Sequence, residues 1–579
     1  MGVRANLPYA SLNLKAWIQI SKGHPDEILL QFIAYGFPIG VEGADFTGVV
    51  HNKNHTSALE HTQQIKEYLA DEVAHNSMIG PFSHPPLKKL LINPLMTAPK
   101  DQNKIRVITD LSFPHSASVN DYTPCDSYLT EPAKCSLPKF QDFAAFIVGM
   151  GRNCWLYSVD IARAYRSMMV CPRDIHYLGI YIDGEYYIDL AMAFGLRNGS
   201  NFCQGLTRIT TAAHRAAGHN SMGYIDDNLG GAPTEARAHS GFTSLINLLE
   251  HLNWPSSKEK NVPPTQQLTY CGLLYDTTTL TVSLSEKRRQ KVLDKIDAWK
   301  DTEKASLTSL QKLCGHLLSA AQVTKYGRSF LNSMLAALRQ AAKHGTATLN
   351  EDFRTDLSWF RKFVEKVYIP YPLAPSTSPR FHLEVDASLT QAGAICSGTA
   401  IFSTFDNETI EAASSHQCTP SACQICYPTL IPSSHLPSST AYSTPFDAKV
   451  IDQSKTKSER PCISVLELTN ATAALRYFAD ILKGQRVVIA CDNEAAVSVL
   501  NTGRARCSQM ATAVRTAWLT CALHNIDMVA VHTPGVLLTK PDALSRRGTD
   551  TTYDSIISEL IEAGVSINYP DPAIFSDCI

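Results

Sequence analysis

Two adjacent aspartates, Asp226 and Asp227, lie in the run Gly223-Tyr224-Ile225-Asp226-Asp227-Asn228-Leu229-Gly230-Gly231, among apolar, aromatic and glycine residues. Neighbouring carboxylates repel one another, and hard oxygen donors at that density are best satisfied by divalent cations. The run reads as a β-hairpin with its acidic pair at the tip. A third carboxylate, Asp160, ends the apolar run Cys154-Trp155-Leu156-Tyr157-Ser158-Val159-Asp160 and completes a set able to hold two metal ions for phosphoryl transfer. A solvated hairpin turn is the competing reading of the Asp pair alone, and the blocks around it weigh against that.

Such a site needs large cores to position it. The chain has 579 residues, 44% hydrophobic and 18% charged, which fits a globular protein of about four domains. No apolar run approaches the length of a membrane span, and Met1-Gly2-Val3-Arg4-Ala5-Asn6 lacks the apolar core of a secretory signal, so an intracellular protein (cytoplasmic or nuclear) is expected. The 16 cysteines show no compact framework and read mostly as reduced thiols. A net charge of −2 argues against an all-over polyanion binder but leaves room for a locally basic groove.

The elements fall into an α+β and α/β multidomain pattern. Residues 1–80 read as a mostly helical lead-in, 81–280 as an α+β domain and 281–368 as helical, with apolar spacing at Leu307, Leu310, Leu313, Leu317 and Leu318. Residues 369–380 read as a Pro/Ser linker, and 381–547 as a second α/β domain with an inserted Ser/Thr/Pro-rich loop at about 403–460. Residues 548–579 form an uninformative tail.

Within the first α/β segment, Arg106 on the strand Lys104 to Leu111 suits bidentate phosphate binding, with Lys100 or Lys104 as supporting charges. An exposed strand cation is the lesser, competing reading of each. Tyr165 is placed to pack under a sugar and exclude a 2′-hydroxyl, or to be core. Phe194 and Gly195 open the block Phe194 to Asn201, whose small and polar residues suit close approach to a base pair or template. Lys258 is a candidate proton donor to leaving pyrophosphate.

The second α/β segment holds four more acids. Asp386 ends an alternating strand, Glu467 lies in a helical run from Ser464, Asp492 ends the apolar strand Val487 to Cys491, and Asp542 opens a final helix. All four are expected at element termini, positions that suit catalysis better than burial.

In their order, these blocks resemble reverse transcriptases over about Leu90 to Arg328. Asp160 to Tyr165 resembles the motif with the first metal-binding Asp and its steric gate, and Phe194 to Asn201 the template-gripping motif. Tyr224-Ile225-Asp226-Asp227 resembles the YxDD signature and Leu268 to Leu274 the primer-grip hairpin. The resemblance implies a right-hand polymerase of fingers, palm and helical thumb or connection, copying RNA into DNA from a primer and deoxynucleoside triphosphates. Asp160, Asp226 and Asp227 would hold two Mg²⁺. Asn228 and Gly230-Gly231 depart from the apolar residues usual after the Asp pair, which puts the hairpin's shape in question.

The second acid set resembles ribonuclease H, which implies Asp386, Glu467, Asp492 and Asp542 as ligands of two further Mg²⁺, with Mn²⁺ as a substitute, and RNA/DNA hybrid as substrate. His532 is read as structural. Ile79-Gly80-Pro81-Phe82, Ser118-Val119-Asn120-Asp121 and Pro541 to Arg546 are most similar to DIRS-like, tyrosine-recombinase retrotransposons, which implies a separately encoded recombinase as partner. The rival function is a catalytically inactive, retroelement-derived nucleic-acid-binding protein. Within the inserted loop, His416, Cys418, Cys423 and Cys426 offer four zinc-ligand types, though loop thiols are favoured over a zinc site.

Overall fold

The computed structural model describes residues 12–99, 105–124, 127–128, 131–132, 136–323, 327–366, 371–373, 380–415, 461–503, 505, 507–548, 551–576 and 578. The chain is a mixed α/β, multidomain protein that divides into two compact units, Met1–Leu280 and Thr281–Ile579. Among the described residues no helix is long and apolar enough to cross a membrane.

At the centre of the first unit is an antiparallel sheet in the order Asn220–Tyr224, Asp227–Ala232, Trp155–Asp160, Val262–Thr265. Its glycines sit where other groups must come close. Gly230 is the register partner of Tyr157, and a Cβ there would lie 2.2 Å from the tyrosine ring. The ladder runs unbroken through Gly230 and Gly231, so the departures noted after Asp227 leave the hairpin regular. The helix Gly199–Ala216 packs on the hairpin, and a Cβ at Gly223 would lie 2.0 Å from Thr207 Cγ2.

Residues 12–80 are more than a lead-in. The helices Leu14–Ser21 and Leu29–Tyr35 bury Trp17, Leu29 and Ile33 in the same core as Tyr157, Val159 and Trp254. The Trp17 and Trp254 rings are 5.7 Å apart, and the Trp17 indole donates to the Leu252 carbonyl. Met78–Phe82 is an edge strand of a five-stranded sheet with Val49–His51, Leu90–Ile92, Gly179–Ile182 and Glu185–Asp189. Large apolar side chains on short amphipathic helices need a partner surface, and the rest of the unit supplies it.

In the second unit, the sheet runs in the order Asp527–His532, Arg486–Cys491, Arg380–Ala387, Gln391–Cys396, Thr399–Thr404, Ser566–Asn568. Val385, Leu383 and Ile401 join the core shared with the helices Ile463–Tyr477 and Ser508–Leu523. Ala400 points the other way, into a cluster with Ala543, Leu544 and Ile557.

Three sequence-based boundaries differ from this architecture. The unit starts near Thr281, so the helices between Glu286 and Lys366 belong with the sheet that follows residues 369–380. Asp356 of the helix Glu351–Lys366 is wholly buried and ion-paired with buried Arg515 of Ser508–Leu523, while Asn332 donates to the Gly503 carbonyl. Residues 403–415 are the end of a strand and the helix Asn407–Ser414, so what is left of the expected loop, 416–460, lies outside the described residues. The expected tail forms the helix Thr551–Glu562 and the edge strand Ser566–Asn568, and Phe575 and Cys578 plug the core. The helix of Asp542 is therefore not the last.

The Tyr157 hydroxyl is buried without a hydrogen-bond partner among the described residues. Tyr157→Phe is expected to leave stability unchanged or raise it by about 1 kcal/mol. Gly230→Val, which drives a side chain into the ring, is expected to cost about 2 kcal/mol or more. Thermal denaturation of the two variants checks both signs.

Two candidate metal centres

Ile225 and Asp226 form the turn of the acidic hairpin, between the paired residues Tyr224 and Asp227. Ile225 has φ +55°, a costly region for a β-branched residue. Its N–H donates to Gln204 Oε1 at 2.7 Å, the Gln204 amide donates to the Gly223 carbonyl at 3.1 Å, and the Thr207 hydroxyl donates to the Ile225 carbonyl. Both pins come from the helix Gly199–Ala216.

Asp227 is the register partner of Asp160. Opposed residues on antiparallel strands have Cβ atoms about 4.5–5.5 Å apart and share a face of the sheet. The Ile161 N–H donates to the Asp226 carbonyl at 3.0 Å, which ties the turn to the end of the Asp160 strand. Tyr270, in the hairpin of Gln267–Tyr270 and Leu273–Asp276, donates its hydroxyl to the Asp227 carbonyl at 2.9 Å. Burial, with the charges of Asp226 and Asp160, pushes Asp227 up to about 6. Asp226 is also raised, by burial first and Asp160 second. Lys260 Nζ lies 3.0 and 3.2 Å from the two Asp160 carboxylate oxygens. Three half-buried acids with hard oxygen donors, of which Asp226 and Asp227 have raised proton affinity, fit a divalent cation such as Mg²⁺.

The other nominated residues divide. Tyr165 is largely buried, with its ring 5.0 Å from the exposed Phe194 ring and its hydroxyl 3.0 Å from Ser200 Oγ. Gly195 has φ +94°, and its carbonyl accepts from the Asn120 amide, whose Oδ1 in turn accepts the Arg197 N–H. Arg106 is exposed on the ribbon of Leu95–Pro99 and Ile105–Thr109. Lys258 is exposed, and Lys260 is the residue that reaches Asp160. Lys100, Lys104, His416, Cys418, Cys423 and Cys426 lie outside the described residues. Spacing alone could not choose between two lysines in Lys258-Glu259-Lys260. Arg166, also unforeseen, is buried between Glu72 and Asp189 at 2.8 Å from each and anchors the turn next to Tyr165.

The second centre gathers Asp386, Glu467, Asp492 and Asp542. Ligand atoms of Glu467, Cys491 and Asp492 lie within 4.8 Å of one another. Asp386 and Glu467 are 4% and 2% exposed, so two of the four acids are buried, against the expectation that all four would avoid burial. Hydrogen bonds make this tolerable: Glu467 Oε1 accepts the Ala387 N–H at 3.1 Å, and Asp386 accepts the Ser545 hydroxyl. Burial, then Asp542 and Asp492, push Asp386 up to about 6, while burial with Asp386 and Asp492 holds Glu467 well above the usual range. Asp492 is raised by burial and by Asp542. Asp542 is paired with Arg546 at 2.6 Å. Gly393 is the register partner of Asp386, and a Cβ there would lie 2.6 Å from Pro541 O. That gap seats the helix Thr539–Ser545 on the sheet and brings Asp542 and Ser545 to the site. His532 reaches the Asp492 carbonyl at 3.1 Å. This oxygen-rich set also fits hard divalent cations.

No protein-family model matches the chain, and no curated protein matches it. Among solved structures it is similar to a foamy viral protease-reverse transcriptase in complex with dsDNA, 11% identical, covering 99% of this chain and 98% of that one, with a TM-score of 0.45. It is also similar to that protein in complex with an RNA/DNA hybrid, 12% identical, covering 94% and 85% of the two chains, with a TM-score of 0.43.

Raised carboxylates hold protons in competition with metal. Asp227 and Asp386 bind protons more tightly folded than unfolded, so these two groups contribute stability to the metal-free fold that grows as pH falls through about 6. Metal must displace those protons, so the Mg²⁺-induced rise in melting temperature is expected to shrink between about pH 7.5 and about pH 5.5. Calorimetry with and without Mg²⁺ measures this, and a pH-independent increment would count against these acids as ligands.

Proposed function

We propose that the chain is an RNA-directed DNA polymerase of a retroelement with a ribonuclease H activity in its second unit. The observation that carries the reading is the placement of Asp227 opposite Asp160 with Asp226 in the adjoining turn. Three acids converge there on a rigid sheet, the arrangement in-line phosphoryl transfer requires.

In this reading the first unit supplies the fingers and palm, and the helices after Thr281 the thumb or connection. Asp160, Asp226 and Asp227 would hold two Mg²⁺, which when bound lower the cost of charge on the attacking 3′-hydroxyl and the leaving pyrophosphate. The chain's own residues do the positioning. Gln204 and Thr207 fix the turn that aims Asp226, and Tyr270 holds the backbone of Asp227. Tyr165, braced by Ser200 and flanked by exposed Phe194, presents the wall against which a deoxyribose would rest. In the second unit Asp386, Glu467, Asp492 and Asp542 would hold the ions that activate water against the RNA strand. Ser545 and the Ala387 N–H keep the buried pair oriented.

The two activities should separate by mutation. Asp226→Asn is expected to reduce Mg²⁺-dependent primer extension on an RNA template on the order of 10³-fold while sparing RNA-strand cleavage. Asp492→Asn should do the reverse. Primer extension and hybrid cleavage on the full chain and both variants test this. A folded, template-binding protein with neither activity in Mg²⁺ or Mn²⁺ would instead be a non-catalytic nucleic-acid-binding protein.

A further inference from the structure

The first centre already contains a cation of its own. Lys260 Nζ spans both carboxylate oxygens of Asp160, at 3.0 and 3.2 Å. The backbone around this contact is fixed: the Asp160 N–H donates to Asn261 Oδ1 at 3.1 Å, the Ser257 N–H donates to the Asp160 carbonyl at 2.7 Å, and Ile161 bridges Ser256. Freedom remains in the lysine itself, whose side chain is 66% exposed against 15% for Asp160. An ammonium donating to both oxygens uses the lone pairs a divalent ion would take, and the two cations repel at that distance.

We propose that Lys260 is a built-in competitor for the metal at Asp160. It neutralises the acid while the centre is metal-free and swings into solvent when a divalent ion arrives. This rests on the reading of Asp160, Asp226 and Asp227 as metal ligands. The backbone bonds persist and the four-carbon side chain alone moves, so entry of metal needs no rearrangement of the sheet. Exposed ion pairs are weak, so the competition lowers metal affinity by a modest factor, about two- to fivefold.

The test is calorimetric titration of the full chain with Mg²⁺ in an Asp492→Asn background, which weakens the second centre. Binding is assigned to the first centre by its loss on adding Asp226→Asn. Lys260→Met is expected to bind Mg²⁺ about two- to fivefold more tightly and, without metal, to melt at a lower temperature. Lys260→Arg, which keeps the charge, should stay near the parent affinity. Equal or weaker binding in Lys260→Met overturns the competition. Failure to find any Asp226-dependent binding, in the parent or in Lys260→Met, overturns the underlying assignment of the acids instead.

Discussion

Two like charges set opposite each other in an antiparallel ladder destabilise the sheet that carries them, and the first unit is organised around that cost. Asp160 and Asp227 are such a pair, with Asp226 one residue away. The strands cannot slide to separate them, because the register is held by Gly230 under the Tyr157 ring and by the pins from Gln204 and Thr207. Lys260 offsets part of the repulsion from outside the sheet, and raised proton affinity at Asp227 offsets more. Gly230, Gln204 and Thr207 therefore enforce the proximity of the acids, and Lys260 relieves its consequences.

The second unit meets the same difficulty differently. Its acids come from two strand ends and two helices, so no single ladder fixes their spacing. Close packing does this instead: Gly393 leaves room for the helix Thr539–Ser545, and the Asn470 side chain donates to the carbonyls of both Asp386 and Gly393. Burial then shifts Asp386 and Glu467 toward their protonated forms. Arg546 stands to Asp542 as Lys260 does to Asp160.

Much of this was legible in the chain because it is local. The hairpin and its acidic tip follow from alternation and glycine placement, as do the strand that ends in Asp160 and the strand Arg486–Cys491 that leads into Asp492. What escaped depends on contacts between distant residues. Nothing near Gly230 in sequence announces Tyr157, and the choice of Lys260 over Lys258 is made by how the segment from Pro255 to Asn261 crosses the Asp160 strand. Glu467 is legible as an acid on a helix, yet its burial follows from the strand Arg380–Ala387 lying against that helix. The segment around Trp17 is legible as helix but not as part of the core, and Ser566–Asn568 is too short to show a pattern, because the surfaces both pack on come from distant parts of the chain.

The ion pair of Asp356 and Arg515 joins a helix before the Pro/Ser segment 369–380 to one well after it. Both partners are buried, so removing either one alone would leave the other charged and unpaired away from water, a cost far above that of a surface pair. The two sides of a segment that looks in sequence like a linker between domains are therefore joined by side chains as well as by the chain itself.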